Sequence, residues 1–249
     1  MLAIPLLLGL ALTRGRSGAA WWVLPGFLLA FLAQDALLQW AQTGRRKPAS
    51  RGHLRRSAAW GLAYLSGSAA CFLFALWTAP AEARPSLLAV AVPATVAAAV
   101  WGIDSALHRG RALWSELIGM AGMTLAAPLM ATAAGMPLRG LPMGAAAAAY
   151  AYCLSSVTCV RTFERRRAAP RSAAAIDLAA HVALFAAVVL LSWIDLAPRW
   201  LPLALVPVAV RAGAGLAWPP RDLRALGRRE LWVASSFTLV ALASFWLSA

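Results

Sequence analysis

The sequence predicts an all-α fold, a polytopic transmembrane bundle of about nine helices, and three observations predict it. Of 249 residues, 61% are hydrophobic, and the mean hydropathy is +0.70. Only 13% are charged, against roughly 25% in a soluble domain. A chain this short cannot hide so much apolar surface from water, so lipid must be the solvent for much of it. The third observation is that basic residues gather in alternate gaps between apolar stretches.

A helix needs about 20 apolar residues to cross a bilayer. Apolar stretches run over 1–13, 19–41, 57–79, 85–104, 113–134, 140–160, 173–194, 200–218 and 231–248. The first is short, which fits a tilted or re-entrant segment, or one that lacks upstream residues. The fourth carries Pro93 and the eighth Pro202 and Pro207, tolerated in lipid where neighbouring helices satisfy the freed carbonyls. In the sixth, Gly144 followed by Ala145 to Ala149 reads as close helix packing through small side chains. The gaps are short, so residues 1–249 are expected to form a single integral membrane domain. The opening Met1-Leu2-Ala3-Ile4-Pro5 lacks the positive region and cleavage site of a removable signal peptide.

Orientation is read from the gaps. Arg45, Arg46, Lys47, Arg51, Arg55 and Arg56 follow the second stretch, and Arg109 and Arg111 the fourth. Arg161, Arg165, Arg166, Arg167 and Arg171 follow the sixth, and Arg221, Arg224, Arg228 and Arg229 the eighth. The alternate gaps hold only Arg14, Arg16, Arg84, Arg139 and Arg199. Positive charge stays inside, which predicts a multi-pass protein of a bacterial-type inner membrane. Nine crossings then put the N-terminus in the cytoplasm and the C-terminus outside.

The net charge of +14 would suggest nucleic acid in a soluble protein. Here the orientation of the spans accounts for it, and no nucleic-acid partner is expected. The expected partner is the bilayer, with anionic lipid at the cytoplasmic arginine-rich loops at about 1 kcal/mol per basic residue. The residues name no protein partner.

Ionisable side chains within spans cost about 2.5–3.5 kcal/mol each and usually face a bundle interior. Asp35, Asp104, Glu116, Arg161, Asp177, His181, Arg211 and Glu230 all fall toward the cytoplasmic ends of their stretches. Asp104, Glu116 and Glu230 read as residues at helix termini, where a carboxylate in a first turn suits the dipole. Asp177 and His181 are four apart, on one helical face, and able to pair. Arg211 stands in an apolar run and offers a fork of donors for a carboxylate or phosphate, or snorkels to the interface. The candidate site is a cytoplasm-facing polar pocket lined by Asp35, Glu116, Arg161, Asp177, His181 and Arg211. Two readings stay open for it: a site for an anionic or lipid ligand, or an internal ion-pair network.

The chemistry that is missing narrows the function. There is no Gly-rich phosphate loop, no Cys/His metal cluster and no nucleophile elbow. Gly213-Ala214-Gly215 is too short for a dinucleotide fingerprint. Cys71, Cys153 and Cys159 fall in apolar stretches and read as small buried hydrophobes. His53 and His108 stand among arginines, and His181 alone does not make a haem site. No cofactor and no metal are expected.

Two stretches carry a resemblance. Leu154-Ser155-Ser156-Val157-Thr158-Cys159-Val160-Arg161-Thr162-Phe163-Glu164-Arg165-Arg166 resembles the sixth-span signature of YwiC-like membrane proteins. Leu223-Arg224-Ala225-Leu226-Gly227-Arg228-Arg229-Glu230 resembles the loop that opens their last span. Arg111 through Glu116-Leu117 and Ala180-His181 also fit. The start departs from the family, whose members usually open with a histidine-bearing segment before the first span. Here Ile4-Pro5-Leu6-Leu7-Leu8-Gly9, similar to the stretch just after that segment, stands close behind Met1.

The layout is similar in turn to UbiA-type prenyltransferases, which carry aspartate-rich magnesium–diphosphate motifs after the second and sixth spans. Here Gln34-Asp35-Ala36-Leu37-Leu38-Gln39 keeps one carboxylate, and Glu164 is the acid of the second region. Magnesium wants several carboxylate and phosphate oxygens. The expectation is therefore a non-catalytic YwiC-like membrane protein. The alternatives are a divergent UbiA-like prenyl or lipid-group transferase and, with less support, a small-solute transporter.

Overall fold

The computed structural model describes residues 3–14, 18–46, 51–107, 113–165, 170–218 and 222–248, without the side chains of 42–46, 51–53, 164–165, 170–174, 216–217 and 223. Met1, Arg16, Lys47, His108, Arg109, Arg111, Arg166, Arg167 and Arg221 lie outside the described residues, as do the side chains of Arg45, Arg46, Arg51, His53, Glu164, Arg165 and Arg171. The described residues form α1 (Ala3–Thr13), α2 (Gly18–Arg46), α3 (Arg51–Thr78), α4 (Arg84–Leu107), α5 (Leu113–Thr124), α6 (Ala126–Ala133), α7 (Leu141–Arg165), α8 (Pro170–Trp193), α9 (Val206–Ala217) and α10 (Leu223–Ser248). Short 3₁₀ turns at Ala81–Ala83 and Leu201–Leu205 precede α4 and α9. No strand is present among them.

Each predicted stretch holds a helix. Seven helical segments are long and apolar enough to cross a membrane, and Ala3–Thr13 and Leu201–Gly215 are shorter apolar helices. With 11 residues, α1 is about 16 Å long, roughly half the hydrocarbon thickness. Several helices outrun their apolar stretch: α2 continues to Arg46, and α10 begins at Leu223 rather than near 231. Hydropathy marks where lipid ends, whereas the hydrogen-bond ladder continues into the headgroup layer.

The prolines act by position. Pro202 and Pro207 stand in the first turns of the 3₁₀ segment and of α9, where a missing N–H costs nothing. Pro93 lies inside α4. Pro128 explains the interruption of the span Leu113–Ala133: it cannot donate to Thr124 four residues back, and the helix breaks at Leu125 between α5 and α6.

The chain divides into two compact units, Gly15–Pro137 and Met1–Arg14 with Leu138–Ala249. In the first, α2 and α3 form an antiparallel pair that glycines bring close. A Cβ on Gly61 would meet Leu37 Cδ2 at 2.7 Å, and one on Gly67 would meet Leu29 Cδ1 at 3.2 Å. The Ser68 hydroxyl donates across the pair to Gly26 O at 2.9 Å. Lipid gives no hydrophobic drive between helices, so such close packing and buried hydrogen bonds hold them. Near the end of the unit Gly135, with a φ of +84°, closes α6, and the Met136 N–H donates to Ala131 O at 3.0 Å. That left-handed cap suits glycine.

In the second unit, α7, α8, α9 and α10 pack together, and α1 lies against α7 and α10. Gly144 explains the alanine run: a Cβ there would stand 2.1 Å from Leu196 O, and Ala145, Ala146, Ala148 and Ala149 are all buried. The unit has two distinct ends. At one, Arg14 Nη2 donates to Trp246 O at 3.4 Å, beside the start of α7 and the end of α8. At the other, Arg229 Nη1 donates to Trp218 O at 2.7 Å, tying the end of α9 to the start of α10. Exposed tryptophans mark both ends, with Trp193, Trp200 and Trp246 at the first and Trp218 and Trp232 at the second. That is an aromatic belt of the kind found at membrane–water boundaries.

Candidate functional site

A charged side chain in a span must find a partner on a neighbouring helix. Arg211, on the second turn of α9, is 5% exposed. Its Nη1 donates to Glu230 Oε1 at 2.7 Å and Oε2 at 2.6 Å. Its Nη2 donates to Ser155 O at 3.0 Å, to Ser155 Oγ at 3.1 Å, and to His181 Nε2 at 3.1 Å. One guanidinium thus joins α7, α8, α9 and α10.

The partners are held in turn. Ser156 Oγ donates to Glu230 Oε2 at 2.7 Å, and Ser155 Oγ donates to Tyr152 O at 2.7 Å. His181 faces Asp177 one turn earlier, with Nδ1 2.7 Å from Asp177 O and 3.4 Å from Asp177 Oδ1. Guanidinium has no acceptor, so His181 Nε2 must accept, and the ring proton sits on Nδ1, donating to Asp177 O. Arg211 therefore fixes the tautomer. Two polar atoms of the cluster are buried without a hydrogen-bond partner, Arg211 Nε and Asp177 Oδ1.

The cluster lies within the bundle. Ser155 is ten residues before the end of α7 at Arg165, about 15 Å along the axis. Tyr152 and Phe237 stack at 4.8 Å and are fully buried, an aromatic layer on the side of the unit's first end. A cavity of about 20 Å³ touches Ser155 and His181, with Leu184, Phe185, Leu205, Val208 and Ala209 as its other walls. It has room for one water and no more.

The structure brings together three of the six predicted residues, Asp177, His181 and Arg211; Asp177 and His181 face each other one turn apart, with His181 Nδ1 on the Asp177 carbonyl oxygen at 2.7 Å and 3.4 Å from its carboxylate. Arg161 lies six residues beyond Ser155 on α7, half-buried and partnered. Asp35 and Glu116 belong to the other unit. There Asp35 is exposed on α2 and accepts from Gln39 Nε2 at 2.9 Å. Glu116 stands in the first turn of α5, as expected of a dipole-stabilised carboxylate, and Asp104 is 5% exposed in α4. Glu116 and Asp104 both have partners.

Sequence reasoning missed Glu230 as a member of the cluster. Hydropathy makes it a terminal carboxylate, but α10 starts at Leu223, which puts Glu230 two turns in. The N-terminal cap is Asp222, whose Oδ1 accepts from Ala225 N at 2.6 Å. The signal was present: an arginine in an apolar span calls for an anion, and α10 is the helix that follows α9 in the chain.

The fold and this cluster define a class first: a multi-pass helical membrane protein with a buried ionic network inside one of its units. The comparison with protein families then places it: a family model described as YwiC-like protein matches residues 1–131, more than half of the chain, and the chain belongs to the YwiC-like family. The stretches 154–166, 180–181 and 223–230, which carried part of the resemblance, lie beyond that match. No curated protein and no solved structure matches the chain.

Among the described residues, no group of three or more His, Cys, Asp or Glu side chains is placed to hold a metal ion. Asp35, the carboxylate of the first UbiA-like region, has Gln39 for its neighbour. One carboxylate does not make a magnesium–diphosphate site, and the side chain of Glu164, the acid of the second region, lies outside the described residues.

Proposed function

We propose that this YwiC-like protein is a non-catalytic protein of the inner membrane, with its arginine-rich face in the cytoplasm, its N-terminus inside and its C-terminus outside. On this reading the Arg211 cluster, reached from the arginine-rich face, is a binding site for an anionic group, a lipid head included. The observation that carries it is the unpaired Arg211 Nε in an otherwise fully engaged guanidinium. A buried donor left unmet costs about 1–3 kcal/mol, more when charged, and an anionic oxygen at Nε recovers that loss. Glu230 already occupies Nη1 with both of its oxygens, leaving the Nε edge for a ligand. Arg224, Arg228 and Arg229 on the first turns of α10 add positive charge at the entrance.

Thermal unfolding of the purified chain in neutral detergent tests this. Short-chain phosphatidic acid is expected to raise the apparent Tm of the wild type. Arg211→Lys should abolish the rise, because an ammonium lacks the planar fork. No shift in the wild type, or an equal shift in the lysine variant, overturns the reading.

A further inference from the structure

Arg211 Nε and Asp177 Oδ1 are buried, unpaired and of opposite polarity, one a donor and the other an acceptor. Both belong to residues about nineteen-twentieths buried. The atoms between them are committed. Arg211 Nη2 holds His181 Nε2 at 3.1 Å, and His181 Nδ1 spends its proton on the Asp177 carbonyl at 2.7 Å. The same Nδ1 is 3.4 Å from Asp177 Oδ1 without making a hydrogen bond to it. The Arg211 guanidinium and Asp177 Oδ1 thus stand on opposite edges of one imidazole ring, Nη2 3.1 Å from Nε2 and Oδ1 3.4 Å from Nδ1.

A simple anion satisfies Nε and leaves Asp177 Oδ1 unmet, with like charge brought toward it. A simple cation does the reverse. A group that carries an anionic oxygen and a hydrogen-bond donor a few atoms apart satisfies both. We infer that the ligand of this site is dipolar, an anionic phosphate bearing a neighbouring amine, as in an aminoalkyl phosphate head. The inference rests on the anion-binding reading of Arg211 and adds Asp177 as the residue that selects the ligand.

On this reading the group enters from the end of the unit that carries the basic residues. The cavity that touches Ser155 and His181 is about 20 Å³, with Leu184, Phe185, Leu205, Val208 and Ala209 as its other walls, too small for a head group. At the loop end the Glu230 side chain is 16% exposed against 3% for Arg211, so the Glu230 side is the more open one. The shared chemistry has two sources, a membrane lipid and a free aminoalkyl phosphate.

Binding to the full chain in neutral detergent, read by native mass spectrometry and by thermal shift, separates the possibilities. Phosphatidylethanolamine is expected to bind about tenfold more tightly than phosphatidylcholine, whose methylated amine has no proton to donate to a charged acceptor. It should exceed phosphatidic acid as well. Asp177→Asn is expected to lose the ethanolamine preference, so that phosphatidylethanolamine and phosphatidylcholine bind alike. Competition by soluble phosphoethanolamine assigns the site to a free ligand, and failure to compete assigns it to the lipid; both support a dipolar ligand. Equal binding of the two zwitterionic lipids, or an unchanged preference in Asp177→Asn, overturns the inference. If phosphatidic acid still binds in an Arg211-dependent way, that result leaves the anion site standing. Loss of all binding removes both.

Discussion

Arg211 and Glu230 are each other's condition for being where they are. Removing one member of a buried ion pair leaves an uncompensated charge, which costs about 3–5 kcal/mol. Glu230 retains some exposure, so Glu230→Gln is expected near the lower end of that range, as a clear fall in apparent Tm in detergent. The double variant Arg211→Met/Glu230→Gln should be more stable than Glu230→Gln alone, because no charge is then stranded. A double variant less stable than the single one would mean that Arg211 holds the bundle through Ser155 and His181 rather than through its charge. Part of this cluster was legible in the sequence, for a physical reason. The spacing of Asp177 and His181 is local and survives any uncertainty in the fold. Glu230 was not, because its partner is on another helix and the hydropathy boundary near 231 hid the two helical turns before it. Ser155 and Ser156 carried no charge to draw notice, yet they hold both members of the pair.

Among the elements, α7 depends most on small residues. Gly144 meets the backbone of Leu196, and backbone cannot rotate away as a side chain can. Gly144→Ala is expected to lower stability by about 1–3 kcal/mol, the range for overpacking a tight contact. Gly213, on α9, has nothing within 4 Å of the place its Cβ would occupy. Gly213→Ala should therefore be neutral or stabilising, by up to about 1 kcal/mol from helix propensity. Paired unfolding curves check both, and equal effects at the two glycines would contradict the packing described for α7. The existence and order of the helices were legible because a run of about 20 apolar residues has few other solutions. Their ends and interruptions were less so. The break at Leu125 is set by one proline inside an unbroken apolar run. The left-handed residue after α8 is Asp195, with φ +56°, where glycine would have announced the stop. Its ion pair with Arg199 spans 3.8 Å between exposed side chains and adds little.

For the molecule as a whole, the one-sided charge has the largest consequence. In the unit of α7 to α10, Arg224, Arg228 and Arg229 stand at the end that carries Trp218, and Arg14, Arg139 and Arg199 at the end that carries Trp246. Within that unit the helix ends thus agree with the alternation read from the gaps, and the proposed approach to Arg211 and Asp177 is from the basic side. Single cysteines placed at Lys47, Arg166 and Arg221 should resist an impermeant thiol reagent in intact cells and react after permeabilisation. Cysteines at Arg139 and Arg199 should react in intact cells. The native Cys71, Cys153 and Cys159 are free and lie within spans, so they are replaced first. Labelling at Lys47 and Arg166 on opposite faces would mean that the count of crossings between them is wrong. Labelling of both from outside would leave the bundle intact but turn the site toward the other compartment, where no positive-inside bias could have placed its arginines. The outcome expected from charge is a single cytoplasmic face for all three basic positions, and with it a ligand drawn from the inner leaflet or the cytoplasm.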